Sequence, residues 1–243
     1  MLKIEIVSHV LADTLPHYAD LLTYQLSSLI LNQPKNCQVT ATVCYYAGDR
    51  RTKAVLDWFG LMKVLSNNLH FHTITFNTRN QLGRRSIGRN MAAKRSTADI
   101  IWFSDVDQCY CDGILDRLAG MEWPDKAAMI FPRKIQIHKN HVTGDEAACV
   151  VNGKPHVVHI NKKDFVPKRY NRAIGGVQIV QGDFAREHGY LDEFEKWQTA
   201  ANKPFGDFRD DIAYRNYCKE RGEVVGVDLP GVYRLRHSTC SYQ

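Results

Sequence analysis

The feature that most constrains this chain is the regular alternation of β-rich and helix-periodic segments over its first 107 residues. Residues 3–8 alternate apolar and polar and read as a strand. Residues 17–32 place apolar side chains at every third or fourth position, as an amphipathic helix does. The β-branched and aromatic run 37–46 follows, then a helix over 52–65, a strand over 70–76 and a helix over 83–96. The run 99–104 is apolar enough to be a central strand. This β-α-β-α-β-α-β order predicts an α/β fold with a mostly parallel sheet covered by helices.

The second half breaks the rhythm. A short helix is expected at 112–118, a strand at 128–131, and a strand at 175–181 opened by two glycines. A helix over 210–221 ends at Gly222, and closing strands follow at 223–227 and 232–235. Between them, residues 133–172 are polar and basic, with β-like runs at 148–151 and 156–160, and read as a hairpin-bearing insertion. The expected organisation is a single domain over 1–243, with halves at 1–107 and 108–243.

Composition enters where it excludes classes. With 44% hydrophobic and 24% charged residues over 243 positions, disorder, collagen and coiled coil are ruled out. The net charge of +6 is unevenly placed. Residues 79–98 hold six basic side chains and no acid, and residues 133–172 hold nine basic side chains and three acids. Such clustering points to an anionic ligand, with solvated surface lysines as the alternative for the second stretch. Seven scattered cysteines fit neither a disulfide framework nor a zinc site, since Cys109 and Cys111 have no second pair. The apolar run Leu21–Leu31 is interrupted by Thr23, Gln25, Ser27 and Ser28, so no membrane span is expected. The start of the chain lacks the features of a signal peptide, which gives the expectation of a cytoplasmic protein, with peripheral association at a membrane surface left open.

The sharpest local motif is Phe103-Ser104-Asp105-Val106-Asp107, at the end of the expected central strand. Ligands of open α/β sheets bind outside the carboxyl ends of the strands. Two carboxylates there can reach a hard divalent cation bridging to nucleotide phosphates. The alternative is that Asp105 merely ends the strand while Asp107 or Asp112 caps the next helix. Arg79 to Arg95 would supply fixed charge beside a diphosphate, and His237, in Arg236-His237-Ser238, is a residue type that binds Mn²⁺ or Zn²⁺.

With those residues in order, the chain resembles the GT-A fold glycosyltransferases, in particular the beta-1,4-galactosyltransferase and family 2-like group. The resemblance rests on residues 103–107, on Arg85 and Asn90 upstream, and on Gly175-Gly176-Val177-Gln178 continuing through Gly189 to Glu193. The acidic helix start at Asp210-Asp211 and the His237 segment complete it. It covers about residues 80–240; the first 80 agree only as an α/β pattern. A Rossmann-like GT-A domain is implied.

The implied activity is a metal-dependent, inverting transfer of a hexose from a nucleotide-diphosphate sugar, with a UDP-sugar the expected donor, to an acceptor hydroxyl. By the resemblance, Asp105, Asp107 and His237 would hold Mn²⁺ or Mg²⁺, and Arg85, Asn90, Asp105, Gly175 and Gly176 would bind the donor. Arg84 and Arg89 would add charge, and Trp197 or Phe205 would stack on a sugar or close over the donor, with core packing as the alternative for Trp197. The general base would be Asp210, Asp211 or Asp207, with Asp210 preferred, because the Glu-Asp of the family falls on Phe208 and Arg209. Arg234 stands where some relatives carry a sulfur ligand. The expected acceptor is a glycan or lipid-linked saccharide, with anionic character suggested by the basic stretch. The competing expectations are a hydroxymethylated base in DNA as acceptor, and a catalytically degenerate domain that only binds a sugar nucleotide.

Overall fold

A computed structural model describes residues 1–62, 67–142, 156–200 and 209–237. The larger of its two sheets has seven strands. In chain order these are β1 (Leu2–Val10), β2 (Cys37–Tyr46), β3 (Leu69–Phe76), β4 (Ile100–Phe103), β6 (Ala127–Pro132), β9 (Gln178–Gln181) and β10 (Glu223–Val227). Across the sheet they run β10-β6-β9-β4-β1-β2-β3. The β4–β9 and β6–β9 pairs are antiparallel, and every other pair in this sheet is parallel. All four residues of β4 are buried, which is what an apolar strand with neighbours on both edges and cover on both faces requires. The sheet draws strands from both halves of the chain, so residues 1–107 and 108–243 share one core.

Four helices among the described residues link the first four strands. These are α1 (His17–Leu31), α2 (Arg50–Met62) and the pair α3 (Arg79–Gly83) and α4 (Arg85–Arg95). The helix expected over 83–96 is α4, and α3 precedes it as a separate short helix that the sequence pattern did not show. The Thr78 hydroxyl accepts a hydrogen bond from the Gln81 amide at 3.2 Å and starts α3. The chain then breaks at Arg84, with φ −90° and ψ 84°, and restarts so that Arg85 opens α4. α1 carries buried polar residues for a reason: Gln25 Nε2 donates to the Asp105 carbonyl at 3.0 Å, and Ser28 Oγ accepts from the Tyr110 amide at 2.9 Å. An amphipathic pattern alone does not reveal that these side chains anchor the segment after β4.

The second sheet has four strands in the order β5-β11-β7-β8, where β5 is Gln108–Tyr110, β7 Lys134–Val142, β8 Phe165–Arg169 and β11 Val232–His237. The basic stretch thus contributes β7 and β8, paired antiparallel, to a shared sheet rather than forming a free hairpin. The run 156–160, expected to be β-like, forms no ladder; the Val158 amide instead donates to Ser27 Oγ on α1 at 3.0 Å. The run 148–151 lies outside the described residues. The helix expected at 112–118 is α5 (Ile114–Ala119), preceded by Gly113 at φ +68°, and Asp112 bonds the Tyr233 hydroxyl instead of capping it. α6 (Gly182–His188), α7 (Glu195–Gln198) and α8 (Asp210–Lys219) complete the described helices. The five described cysteines are free and buried, and act as packing residues; Cys149 and Cys240 lie outside the described residues.

Candidate active site

A cleft of about 410 Å³ lies where β1, β4, β11 and the start of α8 converge. Asp105, Asp107, Arg85, Gly175, Asp211, Arg234 and His237 line it. Most of the residues singled out from sequence are therefore brought together, at the carboxyl end of β4 as strand topology directs.

The first layer is a web of guanidiniums and carboxylates. Arg85 Nη1 donates to Asp105 Oδ1, and Arg85 Nη2 to Asp210 Oδ1, both at 3.0 Å. Arg89, fully buried, donates to the Tyr190 hydroxyl at 2.8 Å, the Gly175 carbonyl at 3.0 Å and Asp105 Oδ1 at 3.3 Å. These two arginines join α4, the end of β4, the glycine pair and α8. Burial pushes the Asp210 carboxyl up, but Arg85 and Arg89 outweigh it and hold it below its ordinary 3.8. Asp210 is 1% exposed and makes no part of the cleft wall.

Asp211 is placed differently. It lines the cleft, and its side chain makes no hydrogen bond among the described residues. Burial raises its pKa, the more distant Arg85 opposing that only in part. The glycine pair explains its seat. A Cβ on Gly175 would lie 3.1 Å from Asp211 Oδ2, and one on Gly176 would lie 3.0 Å from Asp105 Oδ2 and collide with the Gln108 amide. Side chains of this protein press on both glycines, whereas the resemblance implied close approach by sugars. Trp102 Nε1 donates to the Gly176 carbonyl at 3.1 Å and fixes the segment.

Asp107 is 2% exposed. Its Oδ2 accepts from Arg234 Nε at 2.8 Å, and His237 Nε2 lies 3.7 Å from the same oxygen. Burial raises its pKa, but Arg234 and His237 together bring it below 3.8. Its Oδ1 is buried with no hydrogen-bond partner among the described residues. That orphaned oxygen and the adjacent imidazole fit a divalent cation with two protein donors. Asp105, expected as a third, is engaged by arginines, and no group of three or more His, Cys, Asp or Glu side chains is arranged to hold a metal among the described residues.

Other expected residues fall elsewhere. Asn90 is outside the cleft lining: its amide nitrogen donates to Asp192 Oδ1 at 2.7 Å and its oxygen accepts from the Tyr190 amide, tying α4 to the segment after α6. Trp197 sits against the Arg84 guanidinium, 5.4 Å from its ring centre, and outside the cleft. Asp207 and Phe205 lie outside the described residues. Four cleft residues were missed from sequence: His9, Tyr18, Lys168 and Tyr170. His9 ends β1 beside the cleft, so the strand-end rule already pointed to it. Lys168 and Tyr170 fall in the basic stretch 133–172, which pointed to an anion without singling them out, and Tyr18 carried no local signal.

The cleft opens onto a depression of about 700 Å³ over the four-stranded sheet, which shares Asp107, Lys168, Tyr170, Arg234 and His237 with it. Lys139 and Arg236 extend the positive lining, and Asp107 is the one acid among the described lining residues.

No protein-family model matches the chain, and no curated protein sequence does. Solved structures do. The mannosyltransferase PcManGT from Pyrobaculum calidifontis, in complex with GDP-Man and Mn²⁺, superposes at a TM-score of 0.60 with 9% identity, over 98% of this chain and 58% of that one. The fold is shared with this mannosyltransferase. S. aureus TarS superposes at 0.58 with 13% identity, over 97% of this chain and 37% of that one. TarS 1-349 in complex with UDP gives 0.54 with 14% identity, over 97% and 60%. This chain spans less than two thirds of the length of each of these chains. Among the described residues no helix is long and apolar enough to cross a membrane.

Proposed function

We propose that this chain is a glycosyltransferase that transfers a hexose from a nucleotide-diphosphate sugar to a saccharide hydroxyl. The observation that carries the reading is the cleft itself. Asp211, whose side chain makes no hydrogen bond among the described residues, lines the same cleft as Asp107, Arg234 and His237, at the strand ends of a fold shared with a mannosyltransferase.

In the proposed reaction Asp211 accepts the proton of the acceptor hydroxyl. The acceptor oxygen forms its bond to the anomeric carbon as the bond from that carbon to the diphosphate oxygen breaks. The nucleoside diphosphate leaves with the electron pair, and a single displacement of this kind inverts the anomeric centre. Asp211 replaces Asp210 as the preferred base because Asp210 is buried in an ion pair and holds Arg85. Asp107 and His237 are the residues that would hold Mn²⁺ or Mg²⁺, which when bound supplies charge neutralisation for the leaving diphosphate. PcManGT with GDP-Man and Mn²⁺, and TarS with UDP, support this donor class and leave guanine and uracil as alternatives for the base. The affinity to the beta-1,4-galactosyltransferase group rests on the motifs alone.

The depression over the four-stranded sheet is the proposed acceptor side, and its positive lining favours an acceptor carrying phosphate or carboxylate. Nucleoside diphosphate release from UDP- and GDP-linked hexoses, with Mn²⁺ present, tests the reading. Release by the wild type that falls sharply in Asp211→Asn supports it; no release from any donor, with a nucleotide bound, supports the degenerate binding domain instead.

A further inference from the structure

We propose that Arg234, steered by Asp107, forms with Lys168 an anion subsite for the donor diphosphate, so that nucleotide binding does not require a divalent cation. This rests on the donor reading above and departs from it in which cations meet the phosphates.

The basic run 79–95 was the expected source of charge for a diphosphate, but its central members are already engaged. Both Nη groups of Arg85 bond carboxylates, and Arg89 is fully buried among Tyr190, Gly175 and Asp105. Arg234 is the reverse case. Its Nε donates to Asp107 Oδ2 at 2.8 Å, its guanidinium makes no other hydrogen bond among the described residues, and its side chain is 32% exposed on the cleft wall. A guanidinium held through Nε by a buried carboxylate presents its Nη edge in a fixed orientation, the geometry that suits two phosphate oxygens.

Lys168, on β8, lines the same cleft. Its ammonium rests 5.5 Å from the Tyr170 ring centre and has no carboxylate partner among the described residues. It adds a mobile point charge beside the rigid fork. A cation, by contrast, would find two protein donors here, and Arg234 already takes one oxygen of the Asp107 carboxylate. Positive charge at this end of the cleft is thus largely built into the chain.

Calorimetric titration with UDP, GDP, CDP and ADP, each in EDTA and in Mn²⁺, tests the proposal on wild type, Arg234→Gln, Arg234→Lys and Lys168→Gln. Wild type is expected to bind one of them in EDTA within about tenfold of its affinity in Mn²⁺. Arg234→Gln is expected to lose about tenfold or more in EDTA, with Arg234→Lys between the two. Because removing Arg234 leaves Asp107 buried without its partner, Lys168→Gln provides a second arm at an exposed position. It too is expected to weaken binding in EDTA, with an unchanged thermal midpoint. Wild-type binding that vanishes in EDTA and returns in Mn²⁺ overturns the subsite while keeping the donor reading. So does EDTA-resistant binding that neither variant weakens. No binding under any condition overturns the donor reading and the subsite together.

Discussion

The end of β4 and the start of α8 each carry two acids, and the two regions use them differently. At β4, both Asp105 and Asp107 accept hydrogen bonds from guanidiniums. At α8, Asp210 accepts from Arg85, while the Asp211 side chain bonds nothing among the described residues. The pKa directions follow: Asp107 and Asp210 are lowered and Asp211 is raised. Three of the four acids are thus tied to guanidiniums, and Asp211 is the one proposed to act as the base. Adjacency in sequence does not separate Asp210 from Asp211. One helical step does, because it turns Asp210 inward onto Arg85 and Asp211 toward Gly175 and the cleft.

The largest expected break in this contrast comes from Asp211→Asn. Removing a general base should cost about 10²–10⁴-fold in nucleotide release. Its thermal midpoint should hold or rise, since a partly buried carboxylate without a partner is neutralised. Asp210→Asn should do the opposite. We expect a loss of about 2 kcal/mol in stability, less than for a fully orphaned charge because Arg85 keeps Asp105. Denaturant melts of the two variants check this. A stability loss in Asp211→Asn larger than in Asp210→Asn would reverse the assignment.

Gly175→Ala sharpens the same comparison at smaller scale. Its Cβ would lie 3.1–3.4 Å from three atoms of Asp211, so the carboxylate must shift. Nucleotide release should fall by about tenfold with little change in melting. The pH dependence is the mildest test. A base with a raised pKa loses its charge on acidification before an ordinary carboxylate does, so the rate should drop through a limb above pH 3.8 that Asp211→Asn removes. Stability should behave with the opposite sign of shift. Asp107 and Asp210 titrate lower folded than unfolded, so their contribution is present above 3.8 and is lost as pH falls through their lowered values.

Much of the scaffold was legible in the sequence because the parallel core is built from apolar strands and periodic helices that local pattern reports. β1 through β4 and α8 lie close to where periodicity places them. The break at Arg84 was not legible, because a basic, helix-prone run hides a change of direction made by backbone angles. Nor was the membership of β7 and β8 in a shared sheet, since strand pairing across nearly a hundred residues leaves no local trace. Asp107, Arg85, Gly175 and His237 were found through motif order, and the structure brings them to one cleft. The roles were harder. Arg234 reads in sequence as a missing ligand, and only the structure shows its bond to Asp107. Lys168 and Tyr170 reach the cleft only through the second sheet.

The most direct test of the central claim is the thermal midpoint of the wild-type chain with each of UDP, GDP, CDP and ADP in Mn²⁺. A ligand that binds only the folded state adds about 2.7 kcal/mol at a hundredfold excess over its Kd. A clear rise is expected with one nucleoside diphosphate, and a much smaller one with the matching nucleoside, which lacks the phosphates. No rise with any of the four, or an equal rise with the nucleoside, would contradict a diphosphate site at this cleft.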